Sequence, residues 1–136
     1  MRAEYILKLM PPFMTKGKDL FINYMDDQVE KGALILPSLA GGLIDYDLRG
    51  WRNGDSIQVV VRHPDVSVAY NLAQQISDAL TIETPTVLKA SDAGVTGNDI
   101  EVQFMRPRAD PIVYPRPQTK WWEVSINFNL CYRFLG

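Results

Sequence analysis

The run WWEVSINFNLCYRF near the C-terminal end of the chain constrains the fold more than any other segment. Trp122, Val124, Ile126, Phe128, Leu130, Tyr132 and Phe134 alternate there with Glu123, Ser125, Asn127, Asn129, Cys131 and Arg133. A period of two puts the first set on one side of an extended strand and the second set on the other. At ~3.3 Å per residue the run spans about 40 Å, well beyond the ~5–6 residues of an ordinary strand. One apolar side and one wet side specify an antiparallel sheet covered on a single face. A strand of this length in a chain of 136 residues is expected to outrun its neighbours and leave unpaired backbone groups at an edge.

A second signal spans residues 56–80. Ile57, Val59 and Val61 alternate with Ser56, Gln58 and Val60, which is a strand pattern. After His63-Pro64-Asp65 the apolar spacing changes. Val66, Ala69, Tyr70, Ala73, Ile76, Ala79 and Leu80 recur at steps of three and four and share one helical face. Asp65 is the expected N-cap, its carboxylate accepting a first-turn N–H at the positive helix end. Tyr70, Ile76 and Phe128 are expected to bury between this helix and the sheet.

The remaining elements are read from the same rules. Residues 18–31 predict a first helix, with Leu20, Phe21, Tyr24, Met25, Gln28 and Val29 on one face, Thr15 as a cap and Lys31-Gly32 as the stop. The residues before it read as a short helix ended by Pro11-Pro12 or as an extended arm. Further strands are expected at 33–36, 43–48, 86–90 and 100–105, the last with Ile100, Val102 and Phe104 opposite Glu101 and Gln103. Residues 92–99, holding Gly94 and Gly97, read as a hairpin tip. Helix, strands, helix and strands in that order predict an α+β fold. Its sheet would be antiparallel or mixed, with two main helices packed on one face, in one domain over 1–136 with 1–17 a possible arm.

Composition narrows the function. The chain is 46% hydrophobic and 22% charged, as expected of a folded globular protein, and its net charge of −2 gives no electrostatic ground for a specific nucleic-acid partner. A single cysteine, Cys131, excludes an intramolecular disulfide and a cysteine-based zinc cluster, and its strand context predicts a buried, inert thiol. His63, the one histidine, sits in a turn and reads as a bystander. Asp45 and Asp47 share a strand side but supply too few oxygen donors for a divalent site. Gly41-Gly42 lacks the Lys-Ser/Thr of a phosphate loop, and no GxSxG motif is present. The expectation is a non-enzyme with no cofactor and no metal. The apolar run 5–10 is interrupted by Lys8 and ended by prolines, and no run reaches the ~18 apolar residues of a membrane span. Synthesis and retention in a cytoplasm, without a membrane, are expected.

RPRADPIVYPRPQTK, residues 106–120, is the compositional anomaly. It holds four of the nine prolines and four bases against Asp110, a net +3. Proline fixes φ and removes donors, so an extended segment is favoured over a helix or a central strand. It reads either as a long surface loop or as a protruding arm that docks on a neighbour. In the second reading Arg106, Arg108, Tyr114, Arg116 and Lys120 make the contact. In the pair Trp121-Trp122 one ring turns inward and the other outward, and Trp121 is taken as an interface anchor.

The order of a valine-rich strand, Arg62, a short turn, Asp65 and Ala69-Tyr70-x-Leu72-Ala73-x-x-Ile76-x-x-Ala79-Leu80 resembles the small minor capsid and tail terminator proteins of tailed bacteriophages. ILPSLAGG upstream (35–42) and WWEVSINFNL downstream (121–130) fit the same order, so the resemblance covers roughly residues 34–134. The 94–99 loop and the proline-rich 106–120 depart from the pattern. The resemblance implies an α+β virion subunit that forms a hexameric ring at the head-proximal end of the tail tube. Such a ring stops tube polymerisation and joins the tail to the head; its partners are itself, the tail tube protein and a head connector or neck protein. It would be assembled in the host bacterial cytoplasm, with DNA passing through its lumen. The alternatives are another neck component, namely a head completion or connector adaptor protein, and a cytoplasmic α+β ligand-binding or enzyme domain.

Overall fold

The computed structural model describes residues 1–37, 43–45, 50–115 and 120–136. The chain opens with a 3-10 helix at Ala3–Leu9, followed by β1 (Leu20–Ile22), β2 (Gly32–Pro37), β3 (Leu43–Asp45) and β4 (Trp51–His63). Then come α1 (Val66–Leu80), β5 (Thr86–Leu88), α2 (Ala90–Ala93), β6 (Ile100–Pro107), β7 (Ile112–Tyr114) and β8 (Trp122–Phe134). The eight strands form one mixed sheet, a curled half-barrel in the order β1-β2-β4-β8-β6-β5, with β3 also on β4 and β7 also on β8. Among the described strands only β1 and β2 pair in parallel. The Gly41-Gly42 turn, Asp47 and Arg116 lie outside the described residues.

The long alternating run is one strand, as its pattern requires, but it lies at the centre of the sheet and not at an edge. β8 pairs with β4 from His63↔Trp122 to Arg52↔Tyr132 on one side, and with β6 and β7 on the other. The expected overhang is absent because β4 is itself thirteen residues long. Its length exceeds the alternating core of 56–62 because Gly54, at φ +81°, admits a bulge that shifts the register between Arg52 and Asp55. Val124, Ile126, Phe128 and Leu130 are buried with Ile57, Val59 and Val61 of β4. Ser125 and Cys131 on the other side are buried too, so that side is wet only in part. Gln58 Nε2 and Asn127 Nδ2 both donate to Ser125 Oγ there, at 3.1 and 3.3 Å.

α1 follows its sequence pattern closely. Ala69, Ala73, Ile76, Ser77 and Leu80 are buried, Tyr70 is half-buried against the core, and the helix lies against β4, β8 and β6. Asp65 caps it, accepting the Ser67 and Val68 N–H groups at 2.9 and 3.4 Å. His63 Nδ1 in turn accepts the Asp65 N–H at 2.9 Å, so the histidine shapes the turn. Asp65→Ala is expected to lower stability by about 1 kcal/mol, measured as a fall in the urea midpoint at unchanged slope. An unchanged midpoint would show that water replaces the cap without loss.

The helix expected over 18–31 does not exist. Leu20–Ile22 forms β1 beside β2, Asn23 turns the chain at φ 67°, and the Asp26 side chain accepts the Gln28 N–H to close a turn. Of the proposed apolar face, Leu20 and Met25 are buried while Tyr24 is 70% exposed, so no neighbour covers a helical stripe. A buried arginine claims the carbonyls of Asp26 and Val29, the first of which a helix over 18–31 would use internally. Thr15 is a turn residue whose carbonyl accepts the N–H groups of Lys18, Asp19 and Leu20. In place of that helix the 3-10 helix enters the core through Ala3, Tyr5 and Ile6. The Met1 ammonium beside it pairs with buried Asp55 at 2.5 Å.

Two further expectations are corrected. Residues 92–99 are not a loose hairpin tip. Ala90–Ala93 makes one helical turn closed by Gly94 at φ 69°, Asp99 Oδ1 accepts the Ala90 N–H, and the Asn98 carbonyl accepts from Tyr5 Oη at 2.7 Å. The strand expected over 86–90 accordingly stops at Leu88. In β6 the register shifts between Val102 and Phe104, so Met105 is buried in place of Phe104. No helix among the described residues is long and apolar enough to cross a membrane.

Candidate assembly interface

β6 and β7 run successively along the same side of β8, from Ile100↔Phe134 to Tyr114↔Glu123, separated by an irregular step at 108–111. Together with β8 they make a long hairpin, with Pro115 following β7 and Lys120-Trp121 leading into β8. The step is anchored by the Arg108 N–H on the Asn127 carbonyl at 2.7 Å, and beside it lies a notch of about 250 Å³ lined by Arg108, Ala109, Asp110, Ile112 and Asn127. The proline-rich segment is therefore strand at both Arg106-Pro107 and Ile112–Tyr114.

β7 is unusual in having no buried residue. Ile112, Val113 and Tyr114 are 42, 38 and 47% exposed, and Trp122 on the adjoining strand is 37% exposed. Ile112 and Tyr114 lie on the Ser125 and Glu123 side and Val113 and Trp122 on the Val124 side, so this short hairpin end exposes apolar residues on both faces, a concentration that isolated surface apolar residues do not give. Its outer edge is also guarded. The Asn127 carbonyl points toward β6 and β7, so by strand alternation the backbones of Ser125 and Glu123 do as well, and they meet Ile112 and Tyr114. Val113 therefore turns its N–H outward, and the next outward positions are Pro111 and Pro115, which have none. Proline at those positions discourages addition of another strand, leaving side chains to make any contact.

The sequence-derived candidates fall into two groups. Arg106, Arg108, Tyr114 and Lys120 are all exposed on this hairpin, with the Arg106 guanidinium 4.5 Å above the Phe104 ring. Trp121 is different, because it is half-buried under the Arg62 guanidinium, 4.4 Å from its ring centroid. Arg62 is 6% exposed; its Nη1 donates to the Asp26 and Val29 carbonyls at 3.0 and 2.9 Å, and its Nη2 lies 3.7 Å from Glu123 Oε2. Ile112, Val113 and Trp122 were not singled out from sequence. An Ile-Val-Tyr triplet between prolines is too short to show a period, and Trp122 has the parity of the core face.

The chemistry of the described side chains is quiet. Burial raises the Cys131 thiol above its ordinary pKa, which keeps it protonated and poorly nucleophilic. Burial, reinforced by the Asp55 carboxylate, likewise raises Tyr132. Among the described residues no group of three or more His, Cys, Asp or Glu side chains could hold a metal ion.

No curated protein matches the sequence. A family model described as bacteriophage tail terminator protein matches residues 12–132, nearly the whole chain and including the β7 hairpin and the Arg62 cluster. This chain belongs to the bacteriophage tail terminator family, whose members are structural proteins of the phage tail.

Proposed function

We propose that the protein acts as a ring at the head-proximal end of the tail tube, ending tube polymerisation and offering the surface on which the head is joined. The observation that carries this reading, beside family membership, is the exposed apolar hairpin end built from β7 and Trp122, with Lys120 next to it and Arg108 and Arg106 exposed further along the same hairpin. A terminator needs no bond-breaking chemistry. It needs one surface that copies a tube-subunit contact and another that does not, so that growth stops after one layer. Heterologous contacts that close by rotation give a ring, and a hexamer fits that geometry. Partners are then further copies of the chain, the tube protein and a neck protein.

Replacing the exposed Arg106 and Arg108, and with them Arg116, by Ala is expected to leave the fold intact, because surface charges such as the first two contribute little to stability. It should weaken tube capping, more so as salt screens the remaining charges beyond ~8–10 Å. Tail length in complemented lysates, scored by negative-stain microscopy, is the readout. Tails of normal, uniform length that still join heads would overturn the assignment of this hairpin to capping.

A further inference from the structure

We infer that the β7 hairpin of one copy docks on the acidic 23–30 segment of the next copy, so that neighbouring subunits join head to tail. This rests on the ring reading above and assigns its two halves to residues. The sequence NYMDDQVE at 23–30 carries Asp26, Asp27 and Glu30 with no base, a net −3, against the net +3 of 106–120. All three carboxylate residues are exposed, and Tyr24 beside them is 70% exposed. The acidic segment therefore offers what the hairpin offers, an aromatic knob among charges, with the opposite sign.

The fold sets the acidic segment and the Tyr114 end of the hairpin on opposite flanks of one sheet at one level, with Arg108 and Arg106 further along the same flank, beside Asn127 and Asn129. Gly32 of β2 pairs with Arg62 of β4, Arg62 with Glu123 of β8, and Glu123 with Tyr114 of β7. At ~4.8 Å between strands that row is about 14 Å wide. The acidic segment is held at its β2 end by the two hydrogen bonds from Arg62 to Asp26 and Val29. The basic hairpin forms its β7 end. A flank that carries one sign of charge repels its own copy, so neither flank alone supports a two-fold contact, and joining unlike flanks gives heterologous contacts. The guarded β7 edge agrees with contact through side chains and not through an added strand.

A charge exchange tests this. One variant carries Arg106→Glu, Arg108→Glu and Lys120→Glu; the other carries Asp26→Lys, Asp27→Lys and Glu30→Lys. Each alone would set like charges against each other, and in sedimentation velocity each is expected to lose at least tenfold in self-association. Mixed in equal amounts they restore opposite charge at every contact. Native mass spectrometry of differently tagged copies should then show assemblies containing both variants in equal numbers. Either triple variant assembling alone as the wild type does, or a mixture of folded variants remaining monomeric, overturns the pairing. If a triple variant does not fold by circular dichroism, Arg108→Glu and Asp27→Lys are mixed in the same way and read against the same outcomes. A wild-type protein that stays monomeric both free and on tail tubes overturns the ring reading and this pairing together. A wild-type ring with failed exchange overturns the pairing alone.

Discussion

Phe128→Ala is expected to lower the unfolding free energy by about 3–5 kcal/mol, the range for deleting a buried aromatic ring and leaving a cavity. Phe128 is fully buried on the central strand, between Ile57 of β4 and Pro107 of β6, in the core cluster that includes Ile76 and Leu80 of α1. Such a site cannot collapse freely, because β8 is hydrogen-bonded on both flanks and α1 lies against it. A loss of that size is a large share of the ~5–15 kcal/mol that keeps a domain folded. Asn129→Ala, one residue further along β8 and exposed, should stay within about 0.5 kcal/mol. Urea denaturation of both variants is the measurement. Comparable losses at the two positions would mean that the two sides of β8 have been assigned wrongly.

Arg62→Ala is expected to destabilise by a similar amount, about 3–5 kcal/mol, for a different reason. Its guanidinium joins β4 to the 26–29 turn through two carbonyls, to Glu123 on β8 and to the Trp121 ring. Truncation takes the cation from beside a carboxylate that is 12% exposed and removes the donor to two backbone acceptors. Arg62→Lys should recover only part of the loss, since an ammonium cannot reach both carbonyls as a planar fork while stacking on an indole. Thermal denaturation followed by near-ultraviolet circular dichroism reads both the stability and the Trp121 environment. A melting temperature within one or two degrees of wild type for Arg62→Ala would show that the cluster adds nothing net, as some buried ion pairs do.

What could be read from the chain were the elements whose own residues repeat long enough to show a period. β8 declares itself through thirteen alternating residues, and α1 through a capped apolar stripe over fifteen. Asp65 was legible because a cap acts on residues two and three positions away. The same local logic failed at 18–31, where helical spacing was real but no surface existed to bury it. It also failed at Phe104, where a bulge changed parity after two correct residues. Of the candidate interface, the sequence marked the basic residues through composition and missed Ile112, Val113 and Trp122.

Strand and helix identity, the cap, the core parity of β8 and the charge of 106–120 belonged to the sequence, because each depends on neighbours a few positions apart. Only the tertiary structure decided that β8 is central, that Arg62 reaches back over thirty residues to the 26–29 carbonyls, and that Trp121 lies beneath it. It alone brought the acidic segment and the Tyr114 end of the hairpin to opposite ends of one row of paired strands. These are contacts between residues remote in the chain, fixed by register and burial, and no short-range pattern encodes them.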